Sequence, residues 1–206
     1  MAVIQSVLGP ISIEKLGLIL PHEHLFTDLR GPDRPDYAQA DPADVQRVMQ
    51  PYLDEAWKAG VTALVECSTG GVGQNPVVLE RLARNTGVAI VAPGGVYREQ
   101  YMPAAVRKMA EDELTEWMQR QITHGIGETK VRAGFLKMAV SNEGVTENEA
   151  KALRAAARVA VATGAVIASH TSGPKSGMNA LQELDILASK GLPGNRFIWV
   201  HAQNET

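Results

Sequence analysis

Four of the five histidines in this 206-residue chain stand where short apolar runs end, the kind of place where imidazoles can meet around a metal. His22 and His24 close Leu18-Ile19-Leu20-Pro21-His22-Glu23-His24, His170 follows Val166-Ile167-Ala168-Ser169, and His201 follows Phe197-Ile198-Trp199-Val200. Residues two apart on a strand point the same way, so His22 and His24 can share one ion while Glu23 faces elsewhere. One strand-end histidine is usually structural; four on one rim form the pattern of a metal centre. Imidazole donors suit zinc, iron, cobalt or manganese. Lys137, in Gly134-Phe135-Leu136-Lys137-Met138-Ala139, places an ammonium inside an otherwise apolar strand. Burying that charge is costly, so the group must be neutralised, paired or chemically altered, unless its stem snorkels to the rim.

The elements that position these residues alternate. Apolar runs at 16–20, 61–65, 88–92, 133–139, 165–169 and 197–200 lack polar alternation and read as strands of a parallel sheet covered on both faces. Asp41 caps a helix with Pro42 at its first position; Val45, Val48, Met49, Tyr52, Leu53, Ala56 and Trp57 hold its inner face, and Gly60 ends it. Pro51 should kink or interrupt that helix. Thr146 and Glu149 form a capping box for a helix ending near Gly164, and 76–86, 103–123 and 177–190 complete the set. Residues 1–15 read as an amino-terminal hairpin turning at Gly9-Pro10 and seated under the sheet. Strand–helix alternation implies right-handed βαβ units. The fold class is α/β, a TIM-type barrel with about six of eight βα units, in a single incomplete domain over 1–206, since eight units usually need about 250 residues.

Composition narrows the function. Hydrophobic residues make up 45% and aromatics 5%, so the core must be aliphatic and alanine-rich. Twenty Lys and Arg against 23 Asp and Glu give a charge of −3, which argues against a nucleic-acid partner. The single cysteine, Cys67, excludes an internal disulfide and fits a reducing compartment. No signal-peptide pattern or membrane-length apolar run is seen, so the expectation is a soluble, cytoplasmic protein without a membrane partner. Unpaired strand edges invite self-association, so a homodimer is also expected.

The ordered motifs His22-Glu23-His24, Lys137 in Gly-Phe-Leu-Lys-Met-Ala, Ser169-His170-Thr171 and Val200-His201 resemble the phosphotriesterase family of the amidohydrolase superfamily. The opening Val7-Leu8-Gly9-Pro10-Ile11, Gly17 and Pro21-His-Glu-His-Leu25 is similar to that family's amino-terminal signature. The resemblance implies two divalent metal ions, with zinc expected and iron, cobalt or manganese as alternatives. It implies a carbamate on Lys137, formed from carbon dioxide, that bridges both ions. It assigns His22 and His24 to the more buried ion and His170 and His201 to the more exposed one. A strand-eight aspartate that the family uses has no counterpart here, and Asp28, Asp33 and Asp36 read as solvated loop residues. The resemblance also places Tyr97, on the loop after strand three, beside the metals, where lactonase-type members orient substrate.

Other candidates carry plainer readings. Arg98 and Lys175 read as solvated rim charges, with contact to an anionic substrate group as the alternative, Cys67 reads as a small core residue, and His124 as a structural helix end. Gly70-Gly71-Val72-Gly73 lacks a following Lys-Ser/Thr, so it is no P-loop and reads as a flexible rim loop. The implied function is hydrolysis of a small lactone, ester or phosphoester by a bridging hydroxide that the metals activate. Lactone hydrolysis is preferred by analogy and leans on Tyr97. Two alternatives stand: another superfamily branch, either a cyclic-amide hydrolase or a TatD-like deoxyribonuclease, and a non-catalytic truncated fragment. Lys137 and the −3 charge argue against the deoxyribonuclease.

Overall fold

The computed structural model describes residues 2–204. Its parallel strands are β3 (Leu18–Glu23), β4 (Val61–Glu66), β5 (Ala89–Val91) with its continuation β6 (Pro93–Gly94), β7 (Phe135–Ala139), β8 (Ile167–His170) and β9 (Phe197–Val200). They pair in chain order as β3-β4-β5 and β6-β7-β8-β9, the two sheets meeting where Ala92 interrupts the third strand. Laid flat, six strands would hold the first and last roughly 24 Å apart. Instead the rings of His22 and His201, from the first and last strands, lie 5.5 Å apart by centroid. The array is therefore curled, as in a TIM-type barrel with six of its strand positions present. Among the described residues, β3 pairs only with β4 and β9 only with β8.

Helices cover the outside. These are α1 (Pro42–Lys58), α2 (Pro76–Arg84), α3 (Ala104–Lys108), α4 (Glu111–Thr123), α5 (Glu147–Thr163) and α6 (Ser176–Ala188). One apolar layer joins Leu136, Met138 and Ile167 to Leu114, Met118, Leu153 and the alanine face of α5. Another packs Leu64 and Ile90 against Leu53, Val78, Leu79 and Leu82. Inside the curl, Val65, Cys67, Val91, Phe135, Ala168 and Val200 line an apolar cavity of about 350 Å³, which Ile4 of the hairpin enters. The hairpin, β1 (Val3–Ser6) with β2 (Gly9–Ser12), is anchored at the start of β5 by the Val7 amide donating to the Ile90 carbonyl. No helix among the described residues is long and apolar enough to cross a membrane.

Several expectations need correction. Helix α1 continues through Pro51, which is exposed, so the carbonyl that its missing N–H would have bonded can take water. Its inner face is narrower than expected: Leu53 is buried, whereas Val48, Tyr52 and Trp57 are half exposed or more. The stretch 103–123 divides at Met109 and Ala110, because Glu111-Asp112-Glu113 favours a new helix start and Glu113 accepts from the Ala110 amide. The hairpin turns at Val7 and Leu8, and Gly9-Pro10 lies in β2, opposite Ser6 and Gln5. The 70–73 segment is no loose loop. A Cβ at Gly71 would collide with the Tyr101 carbonyl and one at Gly73 with the Asp28 backbone, and both residues are buried. Glycine is needed there for close backbone approach.

Candidate metal centre

The four imidazoles and Lys137 converge at the carboxyl-terminal rim. His22 Nε2 lies 3.2 Å from His24 Nε2, and His201 Nε2 lies 3.0 Å from His170 Nδ1. With Lys137, Tyr97, Thr27, Leu29 and Val72 they line a rim cavity of about 390 Å³. His201 sits just past β9 at φ +76, a left-handed conformation rare outside glycine and recurrent at functional sites.

Lys137 occupies the centre of β7, in register with Ala168, and is 1% exposed. Its Nζ has no hydrogen-bond partner among the described residues, and burial pushes its pKa from 10.5 down to about 8. Burial, aided by the Lys137 charge, also pushes His22 down to about 4 and lowers His24 and His201. His170 falls to about 3 through burial and then the Arg98 charge. All four rings are therefore neutral near pH 7 and keep a free lone pair.

The donor set fits a pair of divalent cations. Among the described residues, no three His, Cys, Asp or Glu side chains gather closely enough to hold an ion by themselves. The imidazoles instead meet as two pairs, and the Lys137 amine that lines the same cavity has no partner.

Outer contacts set the ring orientations. His24 Nδ1 meets Ser68 Oγ at 2.9 Å, and Thr27 Oγ1 lies 3.1 Å from the same hydroxyl. The buried Glu66 carboxylate accepts from the Ser68 and Leu25 amides at 2.7 and 2.6 Å. His170 Nε2 lies 3.0 Å from Ser172 Oγ and 3.0 Å from Arg98 Nη2. Tyr97 packs edge-on against His170, with centroids 5.3 Å apart, and its hydroxyl accepts from Arg98 Nη2 at 3.3 Å.

The remaining candidates fall elsewhere. Lys175 pairs with Glu143 at 3.4 Å, and His124 caps α4 on the exterior beside Thr123. Cys67 is buried in the interior, where desolvation raises its thiol to about 11. Asp33 and Asp36 are exposed, as expected, but Asp28 is not solvated. It is 5% exposed, gripped by Arg30 and the Ala38 amide, and held well below the usual carboxylate range chiefly by Arg30. Sequence reasoning missed Ser68, Asn142 and Ser172. Each lies two or three residues beyond the end of its strand, a position that could have marked it as rim-facing.

The depressed histidines set a pH dependence. Below pH 6.5 the unfolded chain takes up protons that the folded rings refuse, so stability drops as pH falls from 6.5 toward about 4. Melting of chelator-treated protein should show this decline, and a shallower one in His170→Asn. An identical slope in the two proteins would contradict the assignment of His170.

Sequence and structure comparisons give the family. The phosphotriesterase family model matches residues 2–206. The Mycobacterium tuberculosis phosphotriesterase homology protein is 30% identical over 96% of this chain and 63% of its own length. The human N-acetyltaurine hydrolase is 26% identical over 96% of this chain and 64% of its own. A Deinococcus radiodurans PTE-like lactonase mutant superposes with a TM-score of 0.82 at 30% identity, over 94% of this chain and 62% of that one. The chain thus spans less than two thirds of the length of these relatives. Motif order, curled parallel sheet and a family match over residues 2–206 of this chain lead to one assignment: the chain belongs to the phosphotriesterase family.

Proposed function

We propose that this protein hydrolyses a small lactone or ester, with phosphoesters as poorer substrates, using two divalent metal ions at the rim. The observation that carries the reading is the unpartnered, buried Lys137 Nζ among four neutral imidazoles. His22 with His24, and His170 with His201, would hold the ions, and a carbamate on Lys137 would join them. The ions, when bound, would bring a water's pKa near neutrality and polarise the acyl or phosphoryl oxygen. Tyr97 forms one wall, its ring packed edge-on against His170, and its hydroxyl would donate a hydrogen bond to an oxygen of the substrate. Leu29 and Val72 would supply apolar lining for an acyl chain. The likeness to a PTE-like lactonase supports the lactone preference.

A second reading, hydrolysis of an N-acyl amide, is favoured by the likeness to N-acetyltaurine hydrolases. The test is a panel of γ- and δ-lactones, a phosphotriester and N-acetyltaurine, assayed after chelation and again after zinc and bicarbonate are returned. Lactone turnover should vanish with the metal and return with both additions. Turnover indifferent to chelation, or none on any member, would overturn the proposal. Exclusive turnover of N-acetyltaurine would select the second reading.

A further inference from the structure

We propose that Arg98, which stands behind the cavity-lining Tyr97 and His170, is the anion-recognising residue at this rim, selecting substrates that carry a carboxylate or sulfonate close to the scissile acyl group. The proposal rests on the hydrolase reading above and adds a substrate class to it.

A guanidinium is a cation, and no carboxylate pairs with that of Arg98 among the described residues. Nη1 donates to Asn142 Oδ1 at 3.1 Å and Nη2 to the Tyr97 hydroxyl at 3.3 Å, and the guanidinium carbon lies 5.2 Å from the Tyr97 ring centroid. These partners are neutral: they orient the group without neutralising it. Nε is buried with no partner, and among the described residues no carboxylate forms an ion pair with Arg98. Glu99, next in the chain, and Glu149 of α5, which is bonded to the Glu99 amide, are committed elsewhere. Glu99 accepts from Asn148 Nδ2 at 2.8 Å, and Glu149 accepts from the Glu99 and Ser141 amides.

The fourth contact also leaves the charge unmet. His170 turns Nδ1 toward His201, so when that edge serves a metal the ring proton sits on Nε2 and Ser172 Oγ is its acceptor. Arg98 Nη2, a donor, then has no lone pair to meet at His170. A permanent cation 3.0 Å from the metal-facing histidine is unfavourable unless an anion joins it, and a guanidinium edge matches a planar or tripodal oxyanion. The loop is prepared for this. Glu149 pins the backbone immediately after Arg98 and immediately before Asn142, so the group need not be ordered on binding.

Two esters sharing one scissile bond test the idea: monomethyl glutarate, which is anionic, and dimethyl glutarate, which is neutral. In the zinc- and bicarbonate-loaded protein, kcat/KM should favour the anionic ester. In Arg98→Met the ratio between the two should fall about tenfold or more, mostly through KM, and Arg98→Lys should retain part of it. Calorimetry with glutarate supplies a readout independent of turnover, in which binding should weaken by a similar factor in Arg98→Met. Arg98→Gln, run beside it, preserves the comparison if the methionine variant fails to fold. No preference in the parent, or an unchanged ratio and glutarate affinity in the variants, would overturn the proposal. Glutarate binding that needs Arg98, with neither ester hydrolysed, would retain the anion site and reject the hydrolase reading.

Discussion

Replacing Lys137 with methionine is expected to strip the rim of metal and abolish hydrolysis, while leaving the metal-free fold at least as stable as the parent. The activity loss should exceed the roughly 100-fold that loss of an outer ligand partner can cost, because the group shared by both histidine pairs is gone. The stability expectation follows from burial. Lys137 is 1% exposed with an unpartnered Nζ, and methionine fills similar space without a charge. The sign with pH is definite. An unfolded lysine keeps its proton up to 10.5 but the folded one releases it near 8, so stability is lowest below pH 8 and rises as pH climbs from 8 to 10.5. The difference is worth at most about 3 kcal/mol. Zinc analysis and chelated melts at pH 7 and 10 check both halves, and the methionine variant should lack the rise. Lys137→Ala, which leaves a gap, should recover part of its metal binding when a short carboxylic acid is supplied. Metal content and turnover equal to the parent would remove Lys137 from the centre.

Glu149→Ala should be the most destabilising single change near the site, by about 3–5 kcal/mol. Glu149 is 1% exposed, and its carboxylate accepts four hydrogen bonds, from the Glu99, Ser141 and Thr146 amides and the Ser141 hydroxyl. Alanine would leave those part-buried donors without their acceptor. It would also release the loops that carry Tyr97, Arg98 and Asn142 and remove half of the capping box at the start of α5. Glu149→Gln should lose less, because one amide oxygen still accepts. Urea unfolding measures the difference, and a loss below about 1 kcal/mol would show that water replaces the carboxylate.

The same residue shows what was legible in the sequence and what was not. Thr146 and Glu149 were readable as a capping box because that signal is local, and Asp41 with Pro42 marked α1 for the same reason. The histidine positions and the misplaced lysine were readable because strand ends and apolar runs are local too. The second role of Glu149, tying two loops together, depends on contacts eight and fifty residues away that no spacing encodes. Asp28 looked solvated because its partner amide at Ala38 is reached only when the loop folds back. The glycines at 71 and 73 looked flexible because the backbones they admit, at Tyr101 and Asp28, are distant in sequence. Pro51 looked disruptive because exposure, which makes it tolerable, is a property of packing. Arg98 read as a rim charge, and only the absence of a nearby carboxylate gave it further meaning.

Lys137 and the four histidines are proposed to hold two metal ions together. Anomalous diffraction from crystals grown with zinc and bicarbonate tests this most directly. Two anomalous peaks should lie among His22, His24, Lys137, His170 and His201, with added density continuing from Lys137 Nζ. An unmodified lysine amine with no zinc between the histidine pairs, in crystals that hold zinc elsewhere, would contradict it.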